Sequence, residues 1–167
     1  MGGAYGPYTA AVVQPEQYGE FELGTDGPTS ILVGVDGSTT ATRAAWYAAG
    51  LGRRQRARVV AVYVAPGATM AGAVPSGAGV YAAQREAFDE VAEDMRQRAE
   101  ETSAELGVDL TFMAVQGDPY TELRRIADEI RADAVIIGAS SKAGHRFVGS
   151  LAVRLVRANR WPVTVVP

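Results

Sequence analysis

"DAVIIGASSKAGHRFVGSLAVRL", residues 133–155, is an apolar run, then a stretch of small and polar residues, then a segment with helical periodicity. The fourth strand is read over "ADAVIIGA" (132–139), whose apolar run lacks polar alternation, as in a parallel strand covered on both faces. The next stretch holds Lys142 and His145, the single lysine and single histidine of the chain. Glycines and serines between a strand and a helix either cradle a phosphate or simply connect two elements.

The same alternation extends outward in both directions. "SILVGVD" (30–36) reads as a first buried strand, and "TTATRAAWYAAGLGRR" (39–54) as an alanine-rich helix with Ser38 as its N-cap. "RVVAVYVAP" (58–66) is a second strand, followed by the small-residue loop 67–79, long enough to suggest a functional segment. Phe88, Val91, Ala92, Met95, Ala99, Thr102 and Leu106 recur at three and four, which predicts a helix over 81–106 with Gly107 at its C-cap. "VDLTFMAVQ" (108–116) is a third strand. Asp118 and Pro119 open the next helix, and Leu123, Ile126, Ala127 and Ile130 form its buried stripe. A helix over 150–159 and the short strand "WPVTVVP" (161–167) end the chain. Strands separated by helices imply right-handed crossovers, hence an open parallel sheet with helices on both faces. Pro162 lacks an N–H, so the last strand is expected to lie at an edge or Pro162 to stand outside the hydrogen-bond ladder. Residues 1–29, rich in Gly, Pro and Tyr without apolar periodicity, read as a disordered extension of a domain spanning 30–167.

Composition removes several classes of function. The net charge of −3 argues against nucleic-acid binding and against a polybasic membrane surface. The absence of cysteine excludes disulfides and a thiol nucleophile, and one histidine leaves a transition metal almost wholly to carboxylates. No apolar run approaches the roughly 18 residues that span a bilayer. No basic residue precedes Arg43, so the positive start of a secretory signal is missing and a cytoplasmic protein is expected.

In an open parallel sheet, ligands bind beyond the carboxyl ends of the strands, where strand order reverses. If the first and fourth strands are neighbours there, Asp36 would accept from an adenine amino group or a ribose hydroxyl. Gly138 and Gly144 would turn backbone N–H groups inward, and Gly149-Ser150 opens a helix whose free amides favour phosphate. Ser140, Ser141 and Ser150 add hydroxyls, and Lys142, His145 and Arg146 add positive charge. Better-known motifs are missing. Lys142 follows a serine where a P-loop needs glycine, and neither G-x-G-x-x-G nor G-x-S-x-G occurs. His145 is thus a poor candidate for a triad base. On the residues alone, cradle and plain connection both stay open.

The segments "ILVGVDGSTTATRAAWYAA" (31–49), "VVAVYVAP" (59–66), "GDPYTELRRIADEIRADAVIIGAS" (117–140) and "GSLAVRLVRANRWPVTVVP" (149–167) resemble, in this order, the universal stress protein family. The resemblance covers about residues 29–167. It implies a Rossmann-like, adenine nucleotide alpha hydrolase-like domain with five parallel strands in the order 3-2-1-4-5. Many members bind ATP, with which Mg would be bound. By the resemblance, Asp36 is the adenine-contacting acid, Val64 the adenine-packing valine and Gly138 the first glycine of the phosphate motif. Gly149 and Ser150 are its closing pair, and Leu151 stands where a valine often comes next. Ser141 replaces the second glycine, and seven residues, not the family's nine, separate it from Gly149. Lys142, His145 and Arg146 could compensate by direct charge pairing.

The resemblance thus implies a non-catalytic regulator in stress response that binds ATP, AMP or cyclic AMP and pairs into a homodimer through its C-terminal edge strand. The alternatives are a nucleotide-free dimeric interaction module and, more weakly, a slow ATPase. Neither nucleic acid nor membrane is an expected partner.

Overall fold

Ile31, Leu32 and Val33 are wholly buried, so both faces of the first strand are covered, as its uninterrupted apolar run requires. The computed structural model describes residues 27–66, 78–140 and 149–167. Its elements are β1 (Ser30–Val35), α1 (Thr39–Gln55), β2 (Arg58–Ala65), α2 (Ala78–Leu106), β3 (Leu110–Gln116), α3 (Pro119–Glu129), β4 (Ala134–Gly138), α4 (Ser150–Arg157) and β5 (Val163–Val166). The five strands form one parallel sheet in the order β3-β2-β1-β4-β5, as the resemblance implied.

Alternate side chains of each strand feed two separate cores. Leu32, Val60, Val62, Val135 and Ile137 pack with Leu123 and Ile126 of α3 and Leu155 of α4. Ile31, Val33, Val59, Ala61 and Ile136 pack on the other face with Ala44 and Ala48 of α1. Each fully buried large aliphatic side chain contributes about 1.5–3 kcal/mol. The alanine and glycine face of α1 lets that helix approach closely. A Cβ on Gly52 would stand 2.5 Å from Val59 Cγ2.

The predicted punctuation is present. Ser38 Oγ accepts from the Ala41 amide and caps α1, Asp118 accepts from the Thr121 amide and caps α3, and Gly107 turns the chain after α2 at φ +60°. Some boundaries differ from the sequence reading. β3 begins at Leu110, two residues later, because the Val108 amide donates back to Ser103 O and closes the helix. β4 begins at Ala134, because the Ala132 amide donates to Ala127 O. α4 ends at Arg157, before Asn159 turns left-handed at φ 51°. α2 starts at Ala78, ahead of its periodic apolar residues, which leaves the expected loop as 67–77. Residues 67–77 and 1–26 lie outside the described residues. Among the described residues no helix is long and apolar enough to cross a membrane.

One side chain ties the entries of β1 and β4 together. Asp133 Oδ2 accepts from Thr29 N at 2.8 Å, Thr29 Oγ1 at 2.9 Å and Ser30 N at 3.0 Å. Partial burial pushes this carboxyl's pKa up, but the bonds from Thr29 and Ser30 together outweigh it and hold the pKa below the ordinary value of 3.8. A depressed folded-state pKa gives stability that is present above the unfolded value and lost as pH falls through the folded one. Asp133→Asn should therefore lower the unfolding free energy by about 1 kcal/mol near neutral pH, a figure discounted for the residue's exposure. Denaturant titrations repeated below about pH 4 should show that gap narrowing.

Candidate functional site

Parallel pairing sets β1 beside β4, with Leu32 opposite Val135 and Val33 opposite Ile136. From β1 the chain crosses to β2 on one side, and from β4 it crosses to β5 on the other. The two crossovers diverge, so a cleft opens beyond Val35 and Gly138. It measures about 290 Å³. Val62, Val64, Leu123 and Ile137 line its apolar part, Pro119 one wall, and Asp36, Ser140, Gly149 and Ser150 its polar parts.

Six of the eight residues singled out in the sequence meet at this cleft: Asp36, Val64, Gly138, Gly149, Ser150 and Leu151. Ser141 and Lys142 lie outside the described residues, as do His145 and Arg146. Asp36 is exposed. Its Oδ1 accepts from the Ser38 amide at 2.9 Å, while Oδ2 has no partner among the described residues. Val64 is half-buried and packs against the α3–α4 core. Ser150 is exposed as the first residue of α4. Gly149 caps that helix without any side-chain hydrogen bond, unlike Ser38 and Asp118 on α1 and α3. Among the described residues the first-turn amides of α4, at the positive end of the helix dipole, thus have no side-chain acceptor.

The glycines serve a purpose that the sequence does not reveal. Neither Gly138 nor Gly149 has a left-handed φ. A Cβ on Gly138 would lie 2.5 Å from Ala41 N and 2.6 Å from Thr40 C, so the end of β4 presses directly on the backbone of α1. A Cβ on Gly149 would lie 2.8 Å from Ser140 Cβ. The amide following Gly138 does not turn into the cleft either: Ala139 N donates to Val166 O of β5 at 2.7 Å. Among the cleft residues not identified as site residues by the sequence are Ser38, Thr40 and Pro119. Ser38 and Pro119 read there as helix signals alone. Thr40 has a usable signal, a hydroxyl in the first turn of the helix after the switch-point strand.

Beyond Pro119, Arg154 of α4 lies 4.1 Å from the Tyr120 ring centroid and 3.4 Å from Asp118. Asp118 is held below the usual carboxylate range by the Thr121 hydroxyl first, by the Thr121 amide next, and to a smaller extent by Arg154. These contacts brace α3 against α4 beside the cleft.

A parallel α/β domain with an open cleft at its switch point, an acid on one side and a helix N-terminus on the other, has the architecture of a small-ligand-binding protein. The model of the universal stress protein family matches residues 28–167, and the chain belongs to that family. It is 26% identical over 138 residues to universal stress protein MJ0531 of Methanocaldococcus jannaschii, covering 81% of this chain and 80% of the relative. Universal stress protein UspA from Lactobacillus plantarum has the same fold at a TM-score of 0.71 and 27% identity, over 83% of this chain and 97% of that one. A family member from Burkholderia pseudomallei superposes at a TM-score of 0.60 with 32% identity, over 83% and 96% of the two chains. Two more distant structures share the fold alone. One is a universal stress protein in complex with cAMP, with a TM-score of 0.57, 23% identity and coverage of 83% and 96%. The other is an Arabidopsis thaliana member with AMP bound, with a TM-score of 0.59, 17% identity and coverage of 83% and 91%.

If Gly138 is there for packing, Gly138→Ala should destabilise the fold by about 2–3 kcal/mol, since backbone atoms stand in the way. Gly149→Ala meets Ser140 Cβ, which moves only with its backbone, and should also destabilise the fold, by about 1–2 kcal/mol. Wild-type stability of Gly138→Ala in denaturant titrations would contradict a packing role.

Proposed function

We propose that this protein binds an adenine nucleotide (ATP, AMP or cyclic AMP) in the switch-point cleft and acts in the cytoplasm as a non-catalytic regulator in stress response. The observation that carries the reading is the placement of Asp36, with Oδ2 unpartnered among the described residues, on the same cleft as the N-terminus of α4. Asp36 accepts from the base or ribose, Val64 packs on the base, and Gly149, Ser150 and Leu151 offer first-turn amides to a phosphate. AMP and cAMP in the two distant relatives support the ligand class. Gly138 closes the cleft against α1, and Ser141 and Lys142 belong to the segment between the cleft's phosphate-side residues.

Among the described residues no group of three or more His, Cys, Asp or Glu could hold a metal. Mg would arrive on the phosphates of ATP. Asp36 is the one charged side chain among the described residues of the cleft. It lies on the side assigned to the base, away from a transferable phosphate, which favours binding over hydrolysis. Calorimetric titration of nucleotide-stripped protein with ATP, AMP and cyclic AMP should give binding heat for at least one. Asp36→Ala should weaken it tenfold or more while leaving the melting temperature of the free protein unchanged. Absence of heat with all three would leave the nucleotide-free dimeric module as the better reading.

The second copy of the chain is the proposed protein partner, whichever way that titration falls. Among the described residues β5 pairs with β4 alone, so its other edge offers unpaired backbone groups there. Trp46 and Tyr47 on α1 and Val156 on α4, which are 52%, 45% and 54% exposed, lie on the two helices that contact this strand. Pro162 O and Val166 O accept from β4, so by the two-residue repeat Val163 and Val165 direct their N–H groups outward. Light scattering should return a mass near 35 kDa, about twice 17.6 kDa. Val165→Pro, which removes one outward donor but no bond to β4, should return the single-chain mass.

A further inference from the structure

A chain of hydroxyl hydrogen bonds joins the two sides of the cleft. Asp36 Oδ1 accepts from Ser38 N at 2.9 Å, and Ser38 Oγ accepts from Ala41 N at 3.2 Å. Ser38 Oγ and Thr40 Oγ1 lie 3.2 Å apart, and Thr40 Oγ1 donates to Ala139 O at 2.7 Å. The polarity of this chain is fixed by elimination. The Thr40 proton is committed to a carbonyl, which has none to give, so Ser38 must donate to Thr40. Every hydroxyl in it is then satisfied.

Its endpoint is the peptide on which the phosphate side begins. Ala139 has its N–H on Val166 O and its carbonyl on Thr40 Oγ1, so both polar groups are held by opposite neighbours. The next residue, Ser140, meets Gly149 at the foot of α4. Fixing Ala139 thus fixes Ser140, and through that contact the place where α4 starts. Thr40 is only partly buried, and α1 is already capped by Ser38.

Resting on the nucleotide reading above, we propose that Thr40 is a positioning residue for the phosphate side of the cleft: its hydroxyl clasps the Ala139 carbonyl and sets Ser140 and the α4 N-terminus at the distance a nucleotide phosphate needs. Thr40 need not touch the nucleotide itself. The clasp also makes the first turn of α1 the common support of both sides, because Asp36 is held by the same turn.

Three proteins test this: the full-length wild type, Thr40→Val, which keeps the shape but loses the hydroxyl, and Thr40→Ser, which restores it. Calorimetry with AMP and with adenosine separates the two sides of the cleft. Thr40→Val should weaken AMP tenfold or more and adenosine less than threefold, and Thr40→Ser should recover AMP binding to within about threefold of wild type. Wild-type AMP affinity in Thr40→Val, equal losses for AMP and adenosine, or no recovery in Thr40→Ser would each overturn it. Amide exchange gives a readout that needs no ligand. Thr40→Val should speed exchange of the Ala139 amide at least tenfold, and Thr40→Ser should not. If the wild type binds no nucleotide, the functional reading falls and the positioning role falls with it. The exchange data then decide separately whether the clasp exists.

Discussion

Strand β4 ends against the first turn of α1 with no room for a side chain between them, and the rest of the site depends on that approach. Gly138 is the residue that allows it, because any Cβ would overlap the backbone of Thr40 and Ala41. With β4 seated this way, the Ala139 amide reaches Val166 on one side while its carbonyl reaches Thr40 on the other. A shift of even an ångström would break one bond or the other, since each is already at 2.7 Å and hydrogen bonds weaken steeply with distance and angle. The position of the edge strand, the register of the first turn of α1 and the base of the loop beyond β4 are thus one geometric problem with one solution. Packed interiors behave this way because they have few alternative arrangements.

Much of this was legible in the sequence. The uninterrupted apolar runs of β1 and β4 marked strands covered on both faces, and Ser38, Asp118-Pro119 and Gly107 marked the helix ends where the structure has them. Strand and helix limits were less legible, because the last backbone bond of an element has no side-chain signature. Val108 is apolar and buried, yet its amide closes α2 and does not join β3. Arg56 turns the chain left-handed at φ 56° after α1, where a glycine would have been the readable signal. The strand order came from resemblance to a family. Nothing in the strands themselves says which neighbour each will choose, because all are apolar and none carries a pairing-specific side chain.

The site divides along the same line. Asp36 and the Gly149-Ser150 pair could be picked out because acid, glycine and helix start have chemical meaning in a sequence. Thr40 offered only its hydroxyl in the first turn of α1 as a signal, and its partner, a carbonyl distant in the chain, is brought within reach by the fold alone. The glycines teach the converse lesson. They read as flexible backbone around a phosphate, yet Gly138 and Gly149 occupy ordinary φ values and are small because other atoms press on them. A glycine motif of this kind reports first on how strand, helix and loop pack. Any information about a ligand would sit instead in groups without a side-chain partner among the described residues, above all the second oxygen of Asp36 and the first-turn amides of α4.

Those two features also give the cleft a direction. An exposed carboxylate repels a phosphate, whereas the start of a helix attracts one through its amides and its dipole. The described walls contain a single formal charge, that of Asp36, and it is negative. A nucleotide lying with its phosphate toward Asp36 would place like charges together and leave the α4 amides facing a base that offers few acceptors to them. Reversed, the base donates to the carboxylate and the phosphate accepts from the helix. The orientation is then settled by electrostatics before any specific contact is considered. On the proposed nucleotide reading, Asp36 would select against the inverted pose as well as for the base, and both effects would act from one residue whose Oδ1 accepts from the Ser38 amide at the start of α1.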